Sequence, residues 1–182
     1  MPTPLADTEF AVLRQTIAAR GTTRMVLLPV TILGWAALTL VLMLFSELPV
    51  ASLLTLAALV GGFEAIHALH VGTERIGRYL QVSYESTPDG PRWETTAMAV
   101  GPSLPGGGID PLFSGVFVCA AVVNLIPALL PQPTRLELGV VGAVHAAFIF
   151  RVIRARGAAA RQRAVELESF KALLLRERNR EQ

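Results

Sequence analysis

GGFEAIHALHVGTERIGRYL, residues 61–80, sets carboxylate, imidazole and guanidinium groups into a run that otherwise suits lipid. At about 100° per residue on a helix, Glu64, His67, His70, Glu74, Arg75, Arg78 and Gln81 all fall within one arc of about 140°. Ile66, Leu69, Ile76 and Leu80 lie outside that arc. Gly61, Ala65, Ala68 and Gly72 form a narrow stripe of small residues, which lets a second helix approach closely. The stretch predicts a long helix, apolar at its start, that carries its charges past the membrane boundary.

Working outward, four apolar runs explain why a chain of 182 residues is 52% hydrophobic and only 16% charged. Such a composition fits one membrane domain rather than a soluble one. The run 25–45 is long enough to cross a hydrocarbon core of about 30 Å, and no small-residue cleavage site follows it, so it reads as a retained first span. Ser46 to Pro49 is a tight turn, and the second span covers 50–71. Residues 86–111 are rich in Pro and Gly and read as a loop, with a helical turn or two at 92–100. A third span at 112–130, interrupted by Pro127, and a fourth at 136–153 are joined by the turn Pro131-Gln132-Pro133-Thr134. The fold expected is all-α: an integral membrane bundle of four transmembrane helices with an extended second helix.

The ends differ in character. Residues 1–24 are an arm with a short helix from Asp7, placing Phe10, Leu13 and Ile17 on one face for the membrane interface, and Gly21 is a natural stop. Residues 154–182 form a basic amphipathic helix. Arg151, Arg154, Arg156, Arg161 and Arg163 lie beside the fourth span, where cations commonly meet anionic lipid headgroups. Fifteen of the sixteen Lys and Arg residues lie in the N-terminal arm, at 75–92 or after Phe150. That asymmetry puts both termini and the 86–111 loop in the cytoplasm. The bilayer is the expected partner, with a second copy or another membrane protein against the small-residue stripe. No aromatic interleaving or groove-reading module supports nucleic acid.

Chemistry has few candidates. Pro105-Gly106-Gly107-Gly108 lacks the Lys-Ser/Thr of a phosphate cradle. The single Cys119 excludes an internal disulfide, and Asn124 at mid-span reads as a hydrogen-bonding contact between helices. Glu64-x-x-His67 has the spacing of a carboxylate-bridged di-iron motif, but such a centre needs two. A haem held between spans needs one His on each of two helices, which His67 or His70 and His145 could supply. A proton or ion relay is a further role open to the cluster, and two readings of the whole chain stand. One is a non-enzymatic accessory or assembly protein, without cofactor, whose polar cluster of Glu64, His67, His70, His145 and Asn124 locks helices together. The other is a membrane redox or metal-binding protein using Glu64, His67, His70 and His145. Glu64 and His145 lie about 10 and 12 Å inside the cytoplasmic boundary at 1.5 Å per residue, so the two are expected to meet.

Overall fold

A computed structural model describes residues 4–85, 91–100 and 111–180. All secondary structure among them is helical: α1 (Pro4–Phe45), a 3-10 turn (Pro49–Ala51), α2 (Ser52–Ser83), α3 (Trp93–Val100), α4 (Pro111–Val123), α5 (Ile126–Leu129) and α6 (Arg135–Arg180). Three helices, Ala6–Phe45, Pro49–Ser83 and Arg135–Arg180, are long and apolar enough to cross a membrane. The third apolar run is a shorter piece, Phe113–Leu129. The expected loop at 86–90 and 101–110 lies outside the described residues.

Two boundaries differ from the sequence reading. α1 runs through Gly21 without a break, so the arm and first span are one helix. A glycine inside a helix costs only about 1 kcal/mol relative to alanine, and no competing cap stands beside it. The hydroxyls of Thr22 and Thr23 instead donate back to the Ala18 and Ala19 carbonyls at 3.1 and 2.9 Å, which satisfies them within the helix. Likewise the fourth apolar run and the basic tail both belong to α6.

The interruption in the third run has a covalent cause. Pro127 has no N–H for the Val123 carbonyl and its ring crowds the preceding turn, so α4 ends at Val123. The chain tightens through Leu125 N–H to Val122 O at 3.1 Å and restarts as α5. Gln132, between two prolines, then adopts φ 56°, a left-handed conformation unusual for a residue with a Cβ. α6 opens with a capping box. The Thr134 N–H and hydroxyl both donate to Glu137 Oε2 at 2.8 Å, and the Glu137 N–H donates to Thr134 Oγ1 at 3.3 Å.

The chain divides into two compact units, one of residues 24–68 and 110–156, the other of 1–23, 69–109 and 157–182. In the first, Leu56, Leu59, Phe63 and Ile66 of α2 meet Phe117, Ala120 and Ala121 of α4 and Phe148, Val152 and Ala155 of α6. Phe63 is the centre, with the rings of Phe117 and Phe148 edge-on at 5.4 and 5.9 Å. A Cβ at Gly62 would collide with Thr31, so α1 and α2 make their close approach there. In the second unit the aromatic contacts are Phe10 with Tyr84 at 5.4 Å and Tyr79 with Phe170 at 5.7 Å. Arg78 is buried in this unit, as are Leu80 and Val82.

Candidate functional site

Asn124, fully buried, is the polar centre of the unit formed by 24–68 and 110–156. The Pro127 break leaves it at the end of α4, one step past the last helical residue. Its Oδ1 accepts from the Trp35 indole N–H at 2.8 Å and lies 2.6 Å from the Thr55 hydroxyl. Its Nδ2 donates to the Ser52 carbonyl at 2.9 Å and to His145 Nε2 at 3.0 Å. A carboxamide offers two donors and two lone pairs; both donors are used, one lone pair takes the Trp35 N–H, and the other shares the single Thr55 hydroxyl proton with the Ser52 carbonyl, 2.8 Å from that hydroxyl. Residues from α1, α2 and α6 thus converge on one side chain.

His145 completes the arrangement. Its Nδ1 is 2.8 Å from the Val141 carbonyl, which can only accept, so Nδ1 carries the proton and Nε2 presents its lone pair to Asn124. Neither ring nitrogen is left for Glu64, and the expected Glu64 to His145 contact is not made. Glu64 instead pairs with Arg151 at 2.8 Å, both side chains being about 40% exposed: 42% and 43%. Arg151 also lies over the Phe63 ring, 5.6 Å from its centroid. His67 stacks on that ring at 5.8 Å with the planes 3° apart. His70 Nε2 lies 3.6 Å from Glu74. Glu64 and His145 therefore have separate hydrogen-bond partners. Among the described residues no group of three or more His, Cys, Asp or Glu side chains is placed to hold a metal ion.

A second constellation, in the other unit, is built of charges. The guanidinium of Arg78, 4% exposed, pairs with Glu166 and lies 3.3 Å from Glu74. Glu166 also takes Arg75 at 2.9 Å and the Gln162 amide at 2.7 Å, and Glu74 takes Arg163. Burial pushes the Glu166 carboxyl up, but hydrogen bonds from Arg78, Arg75 and Gln162 outweigh it and hold the group below the ordinary value of 4.5. Glu9 receives both phenols, Tyr79 at 2.9 Å and Tyr84 at 2.8 Å. Burial first, then donation to Glu9, raises both phenols above their usual range. The Oε1 of Gln81 is buried without a hydrogen-bond partner.

The small-residue stripe divides. Gly61, Ala65 and Ala68 are exposed, while Gly72 faces the Arg20 guanidinium. Of the basic cluster, Arg151 and Arg163 are in ion pairs, Arg154 lies 5.3 Å from the Phe150 ring centroid and Arg161 is exposed. The Arg156 side chain lies outside those described. Sequence reasoning identified Asn124 and His145 but not Trp35, Ser52 or Thr55, which stand 89, 72 and 69 residues from Asn124. The Thr-x-x-Glu of the capping box was the one overlooked feature with a local signature.

Comparison with protein-family models, curated proteins and solved structures gave no match.

Proposed function

We propose that this chain is a polytopic integral membrane protein with four spans and cytoplasmic termini, acting as a non-enzymatic accessory or assembly protein. The observation that supports this best is the buried carboxamide of Asn124, which is held by side chains or backbone of α1, α2 and α6. A side chain that orients a reacting group keeps a donor free for it, whereas Asn124 gives both of its donors to helix-to-helix contacts. In lipid such contacts substitute for the hydrophobic effect as the force between helices. The third span in this reading is α4 with α5, whose break at 124–125 is satisfied inside protein, as non-helical backbone at membrane depth requires. The bilayer and its anionic headgroups are the first partners, with Arg161 among the contacts. A second copy or another membrane protein meets the exposed Gly61, Ala65 and Ala68.

A metal or haem site would need His145 Nε2 to leave Asn124 and Glu64 to leave Arg151. Absorbance and elemental analysis of the protein purified in detergent test this directly. No Soret band and no stoichiometric metal are expected, and either would overturn the accessory reading. Reporter fusions at residue 182 and within 86–111 should both report the cytoplasm. An external signal at either place would overturn the topology.

A further inference from the structure

We infer that α3 is a membrane-interface anchor, with Trp93, Ala97 and Val100 set against the phospholipid headgroup layer. Three observations lead there. The first is the pattern of the helix. Trp93, Ala97 and Val100 recur at i, i+4 and i+7 and occupy a sector of about 60°, while Glu94 points about 100° away from Trp93. The apolar sector is exposed, Trp93 at 65% and Val100 at 46%, and no residue of α3 is buried.

The second is that the helix is tied down at its N-terminus and through Glu94. The Glu85 carboxylate accepts from the N–H groups of Glu94 and Thr95 at 2.7 Å each, closing the N-terminus of α3. Glu94 takes the Arg14 guanidinium at 2.9 Å and comes within 2.8 Å of where a Cβ on Gly77 would stand. Exposure of Trp93 is therefore a set orientation, not the consequence of a loose turn.

The third is depth, which rests on the proposed topology. If the second span ends at Val71, Gly77 lies six residues farther along α2, about 9 Å at 1.5 Å per residue. The polar layer on each side of the hydrocarbon is about 5 to 8 Å thick. A helix pinned at Gly77, with a radius of about 5 to 6 Å including side chains, reaches into that layer. Indole rings are favoured there because one edge is apolar and the other can donate a hydrogen bond. Depth and indole chemistry together select lipid as the occupant over a protein surface.

The chain has two tryptophans, and Trp35 belongs to the Asn124 site, so the difference between wild type and Trp93→Phe isolates Trp93 emission. Trp93 is exposed, and its replacement by Phe leaves the tethers at Glu85 and Glu94 untouched. Both proteins would be reconstituted in phosphatidylcholine vesicles with bromines near the headgroup end of the acyl chains, or near the chain terminus. Flotation after an alkaline carbonate wash serves as a separate check of integral insertion. The Trp93 signal should fall about twofold with bromine near the headgroup, less with bromine near the chain terminus. Vesicles that float while the Trp93 signal ignores both bromine positions, whether or not aqueous iodide quenches it, would overturn the anchor alone. Stronger quenching from the chain terminus would do the same. Loss of the protein to the carbonate wash would sink the spanning topology and the anchor with it.

Discussion

The two units solve the same problem, joining distant stretches of chain through polar groups, with opposite chemistry. In 24–68 and 110–156 the joint is neutral: an amide, an indole, a hydroxyl, a backbone carbonyl and an unprotonated imidazole nitrogen around Asn124. In 1–23, 69–109 and 157–182 it is ionic: Arg78, Arg75 and Arg163 on Glu166 and Glu74. A neutral hydrogen bond has little desolvation to recover and suits a setting without water, whereas an ion pair must recover a large one and relies on several partners per charge. The difference teaches that partner count and charge, rather than polarity alone, separate the two settings. Glu64, the one carboxylate near the aromatic core, fits neither pattern and sits half-exposed with a single arginine.

Breaking the neutral joint should have the largest effect. Asn124→Leu would strand the Trp35 N–H and His145 Nε2 at once, while the Ser52 carbonyl keeps the Thr55 hydroxyl, and should cost about 3 kcal/mol in thermal unfolding in detergent. An unchanged melting temperature would remove Asn124 from its central place. Arg78→Met should cost about 2 kcal/mol, less than a lone buried pair because Glu166 keeps Arg75 and Glu74 keeps Arg163. Adding Glu166→Leu should cost more, because Arg75 and Gln162 then lose their acceptor, and a recovery would show that Glu166 serves Arg78 alone.

Acid sharpens the same contrast. Glu166 has a folded value below 4.5, so its contribution is complete above that pH and is lost as pH falls through the lower folded value. Hydrogen exchange of the 157–180 backbone should accelerate as pH falls through that window, once intrinsic exchange rates are corrected for, and Glu166→Gln should flatten the dependence. Equal acid sensitivity in that variant would assign the effect to another carboxyl.

Gln81 offers an effect of the other sign. Its buried Oε1 has no partner, so Gln81→Met should stabilise by about 1 kcal/mol. A loss of stability would show that the amide is satisfied in solution. Glu64→Gln should do least, well under about 1 kcal/mol, because exposed pairs contribute little. A larger loss would restore Glu64 to the importance its position in the sequence suggests.

How much of this was legible follows from the range of each signal. Helix content and the apolar runs are local, and residues 61–80 announced a helix that carries charge beyond its apolar half. Pro127 and Asn124 marked the broken third run. Most contacts of the joints are 69 to 91 residues apart, as between Thr55 and Asn124 or Arg75 and Glu166, and no spacing within one helix encodes those. Matching depth suggested Glu64 with His145. Depth fixes height along a helix but not azimuth, and Arg151, two turns beyond His145 on α6, reaches Glu64 instead. The small-residue stripe does not carry the close approach within the chain, for a related reason. The collision point is Gly62, one residue and about 100° from Gly61.

The Asn124 contacts also set a clock. Trp35 and Ser52 leave the ribosome 89 and 72 residues before their partner. At about 5 to 20 residues per second, the wait for Ser52 is roughly 4 to 14 s. Throughout that interval the first helical hairpin holds the Trp35 indole N–H with no native mate, and His145 arrives 21 residues later still. Nascent chains arrested before residue 124 should therefore be digested by protease far faster than chains arrested once α6 has emerged, which makes the carboxamide a late latch on membrane assembly.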